Sequence, residues 1–259
     1  MNILIVGQKR FAVDVFNALS ELPNVKVVGV CAPPGDRLLR RAGLAGVPTL
    51  IAGTLCEAIM PEEIDLIVAA HSHDFIGERT RLRARFGGIG YHPSLLPLHR
   101  GRDAVKWAIR LRERVTGGTV YRLSQRVDGG NIIEQEHVFI RSDDTPAELW
   151  RRELGPLGVR LLSSAVSRFA QHGFINGIEQ DEELATWEPA LGTPPLFRPE
   201  LLLIGHEAST RTKAGSTTLR RSEDGRISVL GTTVELGSPV MDKCIDFVVR
   251  ESEMVRSGD

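Results

Sequence analysis

Cysteine is scarce in this chain of 259 residues: Cys31, Cys56 and Cys244 are far apart and odd in number. Such a set cannot staple a small fold, and it reads as reduced thiols of a cytoplasmic protein. No apolar run approaches the ~18 residues that would span a bilayer, so no membrane helix is expected. The N-terminus passes directly into a strand-like segment, without the pattern of a signal peptide. An excess of one charge is missing as well. Lys+Arg number 32 and Asp+Glu 33, a net charge of -1, which gives no global attraction to nucleic acid or to an anionic membrane. Aromatic residues make up only 5% of the chain. The full Gly-x-Gly-x-x-Gly fingerprint is absent from Gly7-Gln8-Lys9-Arg10, so no nicotinamide dinucleotide site is expected there. Neither an internal repeat nor a low-complexity block is present.

What remains is an ordinary globular composition, 42% hydrophobic and 25% charged, with strong local patterning. Asn2–Val6 is a short apolar run ending at Gly7. Phe11–Leu22 carries apolar residues at helical spacing, and Val25–Val30 is again strand-like. This β-α-β opening predicts a Rossmann-like, doubly wound α/β domain with a mostly parallel sheet. Helices are predicted at Arg37–Ala45, Thr54–Met60, Glu78–Phe86 and Asp103–Arg112, and strands at Val47–Leu50, Asp65–Ala70 and Gly87–Tyr91. Thr116–Leu123 and Ile132–Phe139 read as partner strands. Pro146–His172 is the longest helical stretch, capped by Thr145 and interrupted near Gly155-Pro156. After Trp187-Glu188-Pro189 the texture changes. Residues 1–190 form the α/β part, and 191–259 a Pro-rich linker followed by a small β-rich appendage. Strands are predicted there at Leu201–Ile204, Thr217–Arg221, Arg226–Leu230 and Thr233–Leu236. Their edges would suit pairing with a second copy, a homodimer.

Two stretches carry the chemistry. The first is Gly90-Tyr91-His92-Pro93-Ser94-Leu95-Leu96-Pro97-Leu98-His99-Arg100-Gly101-Arg102-Asp103. Its prolines forbid an ordinary helix or central strand, which leaves an irregular loop after a strand. The second is Thr116-Gly117-Gly118-Thr119, followed by Asp128-Gly129-Gly130. The expectation is that His92 and Asp128 meet in one site. A carboxylate orients an imidazole and favours its protonated form, which stabilises an oxyanion and passes on a proton. The loop His71-Ser72-His73-Asp74-Phe75 ends a buried strand, where parallel sheets place ligands. A metal site at His71 and His73 has no supporting Cys/His cluster, so no metal is expected. Backbone amides at Gly7 and Gln8, with the side chains of Lys9 and Arg10, are either an anion seat or a solvated basic turn.

His92-Pro93-Ser94-Leu95-Leu96-Pro97 with Arg100-Gly101, then Thr116-Gly117-Gly118-Thr119 and Asp128-Gly129-Gly130, resembles the formyltetrahydrofolate-dependent formyltransferase family, in order over roughly residues 1–170. The resemblance implies 10-formyltetrahydrofolate as formyl donor and an amine as acceptor, with His92 and Asp128 as catalytic residues. It implies a folate pocket formed by His71, Ser72, His73, Phe75 and Ile76, together with Arg126 and Val127. From the residues themselves, an acceptor side is expected at Gly7, Gln8, Lys9, Arg10, Gly90, Arg100 and Arg102, where Arg100 and Arg102 either position an anionic acceptor or the folate glutamate, or form a solvated basic turn or a pair with Asp103. The family's third residue, an asparagine two positions before the histidine, is Gly90 here. Three readings follow: a slowed enzyme, a substitute donor from His71, Ser72 or His73, or a pocket that binds folate or a nucleotide without transfer. A hydrolase using water in place of the amine is a further alternative. The balanced charge of residues 200–259 argues against tRNA and for a small-molecule acceptor such as an amino sugar or amino nucleotide.

Overall fold

The structure, a computed structural model, describes residues 1–73 and 76–187 and the backbone of five strands beyond them. The chain divides into two compact units, Met1–Glu188 and Pro189–Asp259. In the first unit the elements are β1 (Asn2–Gly7), α1 (Lys9–Ser20), β2 (Lys26–Ala32), α2 (Arg37–Leu44), β3 (Thr49–Ile51), β4 (Leu66–Ala70) and α3 (Glu78–Arg83). They continue with β5 (Gly88–His92), α4 (Ala104–Arg110), β6 (Val115–Arg122), β7 (Ile132–Phe139), α5 (Pro146–Leu149) and α6 (Gly155–His172). One sheet contains all seven strands in the order β3-β2-β1-β4-β5-β6-β7. Strands β1 to β5 pair in parallel, while β6 runs against them and pairs antiparallel with both β5 and β7. The expected mostly parallel α/β sheet is therefore present, and its order reverses direction at β1/β4.

Burial on both faces explains the continuous apolar strands. Ile3, Ile5, Val68, Ala70, Ile89 and Tyr91 share a core with Val15, Phe16 and Leu19 of α1 and Leu161, Leu162 and Phe169 of α6. Leu4, Val6 and Ile67 face the other way, against Met60, Ile64, Ile76 and Ala84. The helix expected at Thr54–Met60 does not form. The segment makes a single turn in which the Ile59 and Met60 amides reach the Cys56 carbonyl at 3.3 and 3.1 Å. It has only a few residues between Gly53, at φ 83°, and Pro61, too few to offset helix nucleation.

The break expected near Gly155-Pro156 is instead a change of helical pitch. Trp150–Leu154 forms a π-helical turn between α5 and α6, and the Gly155 amide donates to the Trp150 carbonyl. Thr145 starts the run with a reciprocal capping box to Glu148. The Tyr91 hydroxyl donates to the Leu154 carbonyl at 2.7 Å, inside this turn. Its ring lies in a slot between Gly118 and Gly158, where a Cβ would come within 2.4 Å of the hydroxyl or 2.5 Å of the ring. Gly158→Ala is expected to cost about 1–3 kcal/mol by overpacking. That outweighs the roughly 1 kcal/mol alanine contributes to a helix, and a denaturant titration reads the balance.

The second unit contains an antiparallel sheet in the order β11-β10-β9-β8-β12, formed by β8 (Glu207–Thr212), β9 (Gly215–Arg221), β10 (Ile227–Val229), β11 (Thr232–Val234) and β12 (Val248–Val249). The strand expected at Leu201–Ile204 and the linker at 192–199 lie outside the described residues. β8 was not expected from its polar sequence.

Candidate active site

His92 is the last residue of β5, at the carboxyl edge of the parallel strands. It is 6% exposed, although a loop follows it directly. Its Nε2 lies 2.6 Å from the His99 carbonyl, and its Nδ1 lies 3.5 Å from Oδ2 of Asp128. Both ring nitrogens thus face oxygen acceptors. Asp128 is reached because the β6–β7 connection folds back along the sheet face. It holds a left-handed φ of 52°, which costs a non-glycine residue about 1 kcal/mol or more and persists only where the surroundings enforce it.

Those surroundings are visible. Oδ2 of Asp128 accepts the Gly101 amide at 2.8 Å, and Oδ1 accepts the Tyr121 hydroxyl at 2.5 Å. Gln180, 4% exposed, donates to the carbonyls of Asp128 and Gly130, both at 2.7 Å. The loop after His92 is tied down in the same way. Thr119 Oγ1 donates to the Ser94 carbonyl at 2.7 Å and accepts from Leu96 N and Gln135 Nε2. Ser94 Oγ donates to the Leu98 carbonyl, so it braces the loop. The segment 180–187 then straps the loop from outside. The Thr186 hydroxyl accepts the His99 amide at 2.8 Å, and the Trp187 ring lies so close over Gly101 that a Cβ there would be 2.9 Å from it.

Several expected site residues have other partners. Arg100, assigned to an anionic ligand from sequence, is 7% exposed, and its guanidinium donates to Gln180 and to the Glu182 carboxylate. Arg126 adds a 3.1 Å contact to the same carboxylate. Hydrogen bonding from Arg100, more than the nearby charges, holds the Glu182 carboxyl below its usual range. Arg102 is exposed, and Val127 is half exposed beside Asp128. Gly90 lies opposite Tyr121 in the β5/β6 register. Ile76 is buried, and Phe75 lies outside the described residues. Sequence reading missed Tyr121 and Gln180, and named Thr119 only as part of its motif. The strand register opposite Gly90 was the one signal for Tyr121.

Along the same edge, Gly7 packs its backbone on β4, and the Gln8 amide donates to the Ala70 carbonyl at 3.3 Å. Lys9, at φ 63°, donates its amide to Asp36 Oδ2 at 2.9 Å, and Arg10 pairs with Asp14. A cavity of about 460 Å³ opens beside them, lined by Lys9, Arg10, Gly35, Asp36, Arg37 and Arg40. His71, at φ 57°, ends β4 between His73 and Trp150. Burial, then the charges of Lys9 and His73, push its pKa down to about 4 against the opposing pull of Asp36. Among the described residues no cluster of three metal-ligating side chains occurs, and no helix is long and apolar enough to cross a membrane.

The depressed His71 predicts an acid lability. The unfolded chain binds this proton near 6.5 and the folded chain only near 4, so the stability it carries is complete above the first value and falls as pH drops toward the second. The slope is at most about 1.4 kcal/mol per pH unit, reduced by solvent screening of a partly exposed ring. Melting curves from about pH 7 to about pH 4 should show a steeper loss for wild type than for His71→Gln.

The chain is 30% identical over 204 residues to a cytosolic 10-formyltetrahydrofolate dehydrogenase of Xenopus laevis, covering 73% of this chain and 22% of that protein. It is 33% identical over 201 residues to a methionyl-tRNA formyltransferase of Anaeromyxobacter sp. (strain K), covering 72% and 64%. It therefore spans less than two thirds of these curated relatives. Among solved structures, glycinamide ribonucleotide transformylase 1 from Symbiobacterium toebii shares the fold at a TM-score of 0.58 and 23% identity, over 70% of this chain and 93% of that one. WlaRD, a sugar 3N-formyl transferase, does so at 0.60 and 18%, over 73% and 69%. The profile described as formyl transferase matches residues 1–166, a segment that contains His92, Asp128 and the whole seven-stranded sheet, and the chain belongs to the formyl transferase family.

Proposed function

We propose that this protein moves a formyl group from 10-formyltetrahydrofolate to an amine on a small, phosphate-bearing acceptor such as an amino sugar nucleotide or amino nucleotide. The observation that carries the reading is the His92–Asp128 pair, 3.5 Å apart at the carboxyl edge of the sheet, within the segment that defines the family.

The residues present suit the donor. A flat pterin needs an apolar wall with backbone polar groups at its rim. Ile76, Leu123 and the half-exposed Val127 offer the wall, and residues 71–73 and 124–127 offer the rim. The donor, when bound, supplies the activated formyl carbon. His92 keeps Nε2–H on the His99 carbonyl, so Nδ1 is the atom at which it holds and moves a proton. Asp128 faces that atom and keeps the ring oriented toward the negative charge that builds on the formyl oxygen. The closed loop and its strap keep water from the buried pair. The basic cavity at Lys9, Arg10, Arg37 and Arg40 supports an anionic acceptor group near the β1–α1 turn.

Isothermal titration with 5-formyltetrahydrofolate, followed by turnover of 10-formyltetrahydrofolate against a panel of amino sugar nucleotides and amino nucleotides, tests the reading. Binding with acceptor-dependent turnover supports it, and no binding defeats it. Gly90, which carries no donor, favours a second reading in which water takes the formyl group. Formate release at full rate without acceptor would select that one.

A further inference from the structure

Gly90 and Tyr121 are directly opposed across β5 and β6. Side chains at 90, 92 and 121 project from the same face of the sheet, because Gly90 and His92 are two residues apart. A Cβ at Gly90 would lie 3.2 Å from Leu123 and 3.4 Å from the Tyr121 ring. The space that a side chain at 90 would enter is therefore filled from the neighbouring strand. The phenol reaches from there to the site, where its hydroxyl donates to Asp128 Oδ1 at 2.5 Å. The other oxygen of that carboxylate takes the Gly101 amide and faces His92 Nδ1. Tyr121 is 8% exposed. Burial, then the Asp128 charge and hydrogen bond, raise its pKa well above the ordinary phenol value. It therefore stays a neutral donor throughout the working range.

We propose that Tyr121 is a positioning residue of the site: seated over Gly90, it fixes through Asp128 the carboxylate oxygen that faces His92. Two contacts from opposite sides, the phenol on Oδ1 and the Gly101 amide on Oδ2, leave the carboxylate no free rotation. A Cβ at 90 already touches Leu123 and the Tyr121 ring, so a side chain longer than a methyl would compete with the ring for this space. Gly90→Asn alone is predicted to displace the ring rather than to add a useful donor. The kinetic part of this inference rests on the formyl-transfer reading, while the structural part does not.

Nitrogen-15 spectra of the His92 ring at fixed pH give the structural test. Tyr121→Phe removes one oxygen and is expected to move the His92 ring signals. Tyr91→Phe is the control, because Tyr91 is the only other tyrosine and bonds the Leu154 carbonyl instead. In the kinetic arm, Tyr121→Phe should lower kcat for tetrahydrofolate release from 10-formyltetrahydrofolate by about 10- to 100-fold, with little change in KM for the donor. Unchanged His92 signals in folded Tyr121→Phe would overturn the proposal. If that variant fails to fold, Gly90→Asn takes its place, since its longer side chain enters the space that the ring fills, and unchanged signals there overturn the proposal equally. A wild-type protein with no turnover would defeat the formyl-transfer reading, and the His92 signals would still decide the role of Tyr121.

Discussion

Alanine in place of His92 is expected to slow tetrahydrofolate release from 10-formyltetrahydrofolate by about 10²- to 10⁴-fold, while 5-formyltetrahydrofolate binds within about threefold of its wild-type affinity. The split follows from where the ring sits. His92 spends Nε2 on the His99 carbonyl and points Nδ1 at Asp128, whereas the residues suited to hold the pterin lie on the loops after β4 and β6. On the proposed reading, loss of the imidazole removes the group that meets developing charge and leaves the wall intact. Asp128 does not depend on His92 for its place, since Tyr121, Gly101 and Gln180 hold it. The variant should therefore keep its fold. Titration calorimetry and single-turnover kinetics measure the two halves, and equal loss in both would mean that His92 only holds the loop.

Gly7→Ala should be among the most damaging small substitutions at the described residues. A Cβ at Gly7 would stand 2.0 Å from the Ala70 carbonyl oxygen and 3.1 Å from the Ala12 methyl. The first contact is with backbone in a neighbouring central strand, so no rotamer change relieves it. Either β1 and β4 separate or α1 lifts from the sheet, and both elements belong to the main core. A loss above about 4 kcal/mol is expected, close to the whole stability of many domains. The midpoint and slope of urea unfolding, or failure to recover folded protein, would register it. A midpoint within error of wild type would show that the strands can part at little cost. The glycine that ends the first strand, read from sequence as part of an anion seat or a solvated turn, is in this light needed first for the approach of two backbones.

Most of the α/β architecture was legible because its cause is local. Runs such as Leu66–Ala70 are apolar throughout and can only be strands covered on both faces. The prolines of the His92 loop likewise announce an irregular segment. The pairing of His92 with Asp128 was anticipated from two motifs, and the structure places them together. Tyr121 was not legible as a site residue, because its role depends on register across two strands and on a loop that folds back to meet it. Arg100 shows what the sequence does not carry: only the tertiary fold supplies the buried Gln180 and the Glu182 carboxylate that accept its hydrogen bonds. Thr54–Met60 had apolar residues at plausible spacing but too little length between Gly53 and Pro61. The strap at 180–187 is polar and aperiodic, and no pattern marks it.

That strap has a consequence for the order of events during synthesis. Asp128 leaves the ribosome roughly fifty residues before Gln180, an interval of about 3–10 s at typical elongation rates. In that time the strands, both helical layers and the His92–Asp128 pair can assemble. The carbonyls of Asp128 and Gly130, the His99 amide and the Arg100 guanidinium still lack the partners that Gln180, Thr186 and Glu182 bring. The nascent unit thus acquires its scaffold first and its closed site last, and the final few polar residues before the second unit decide when that happens.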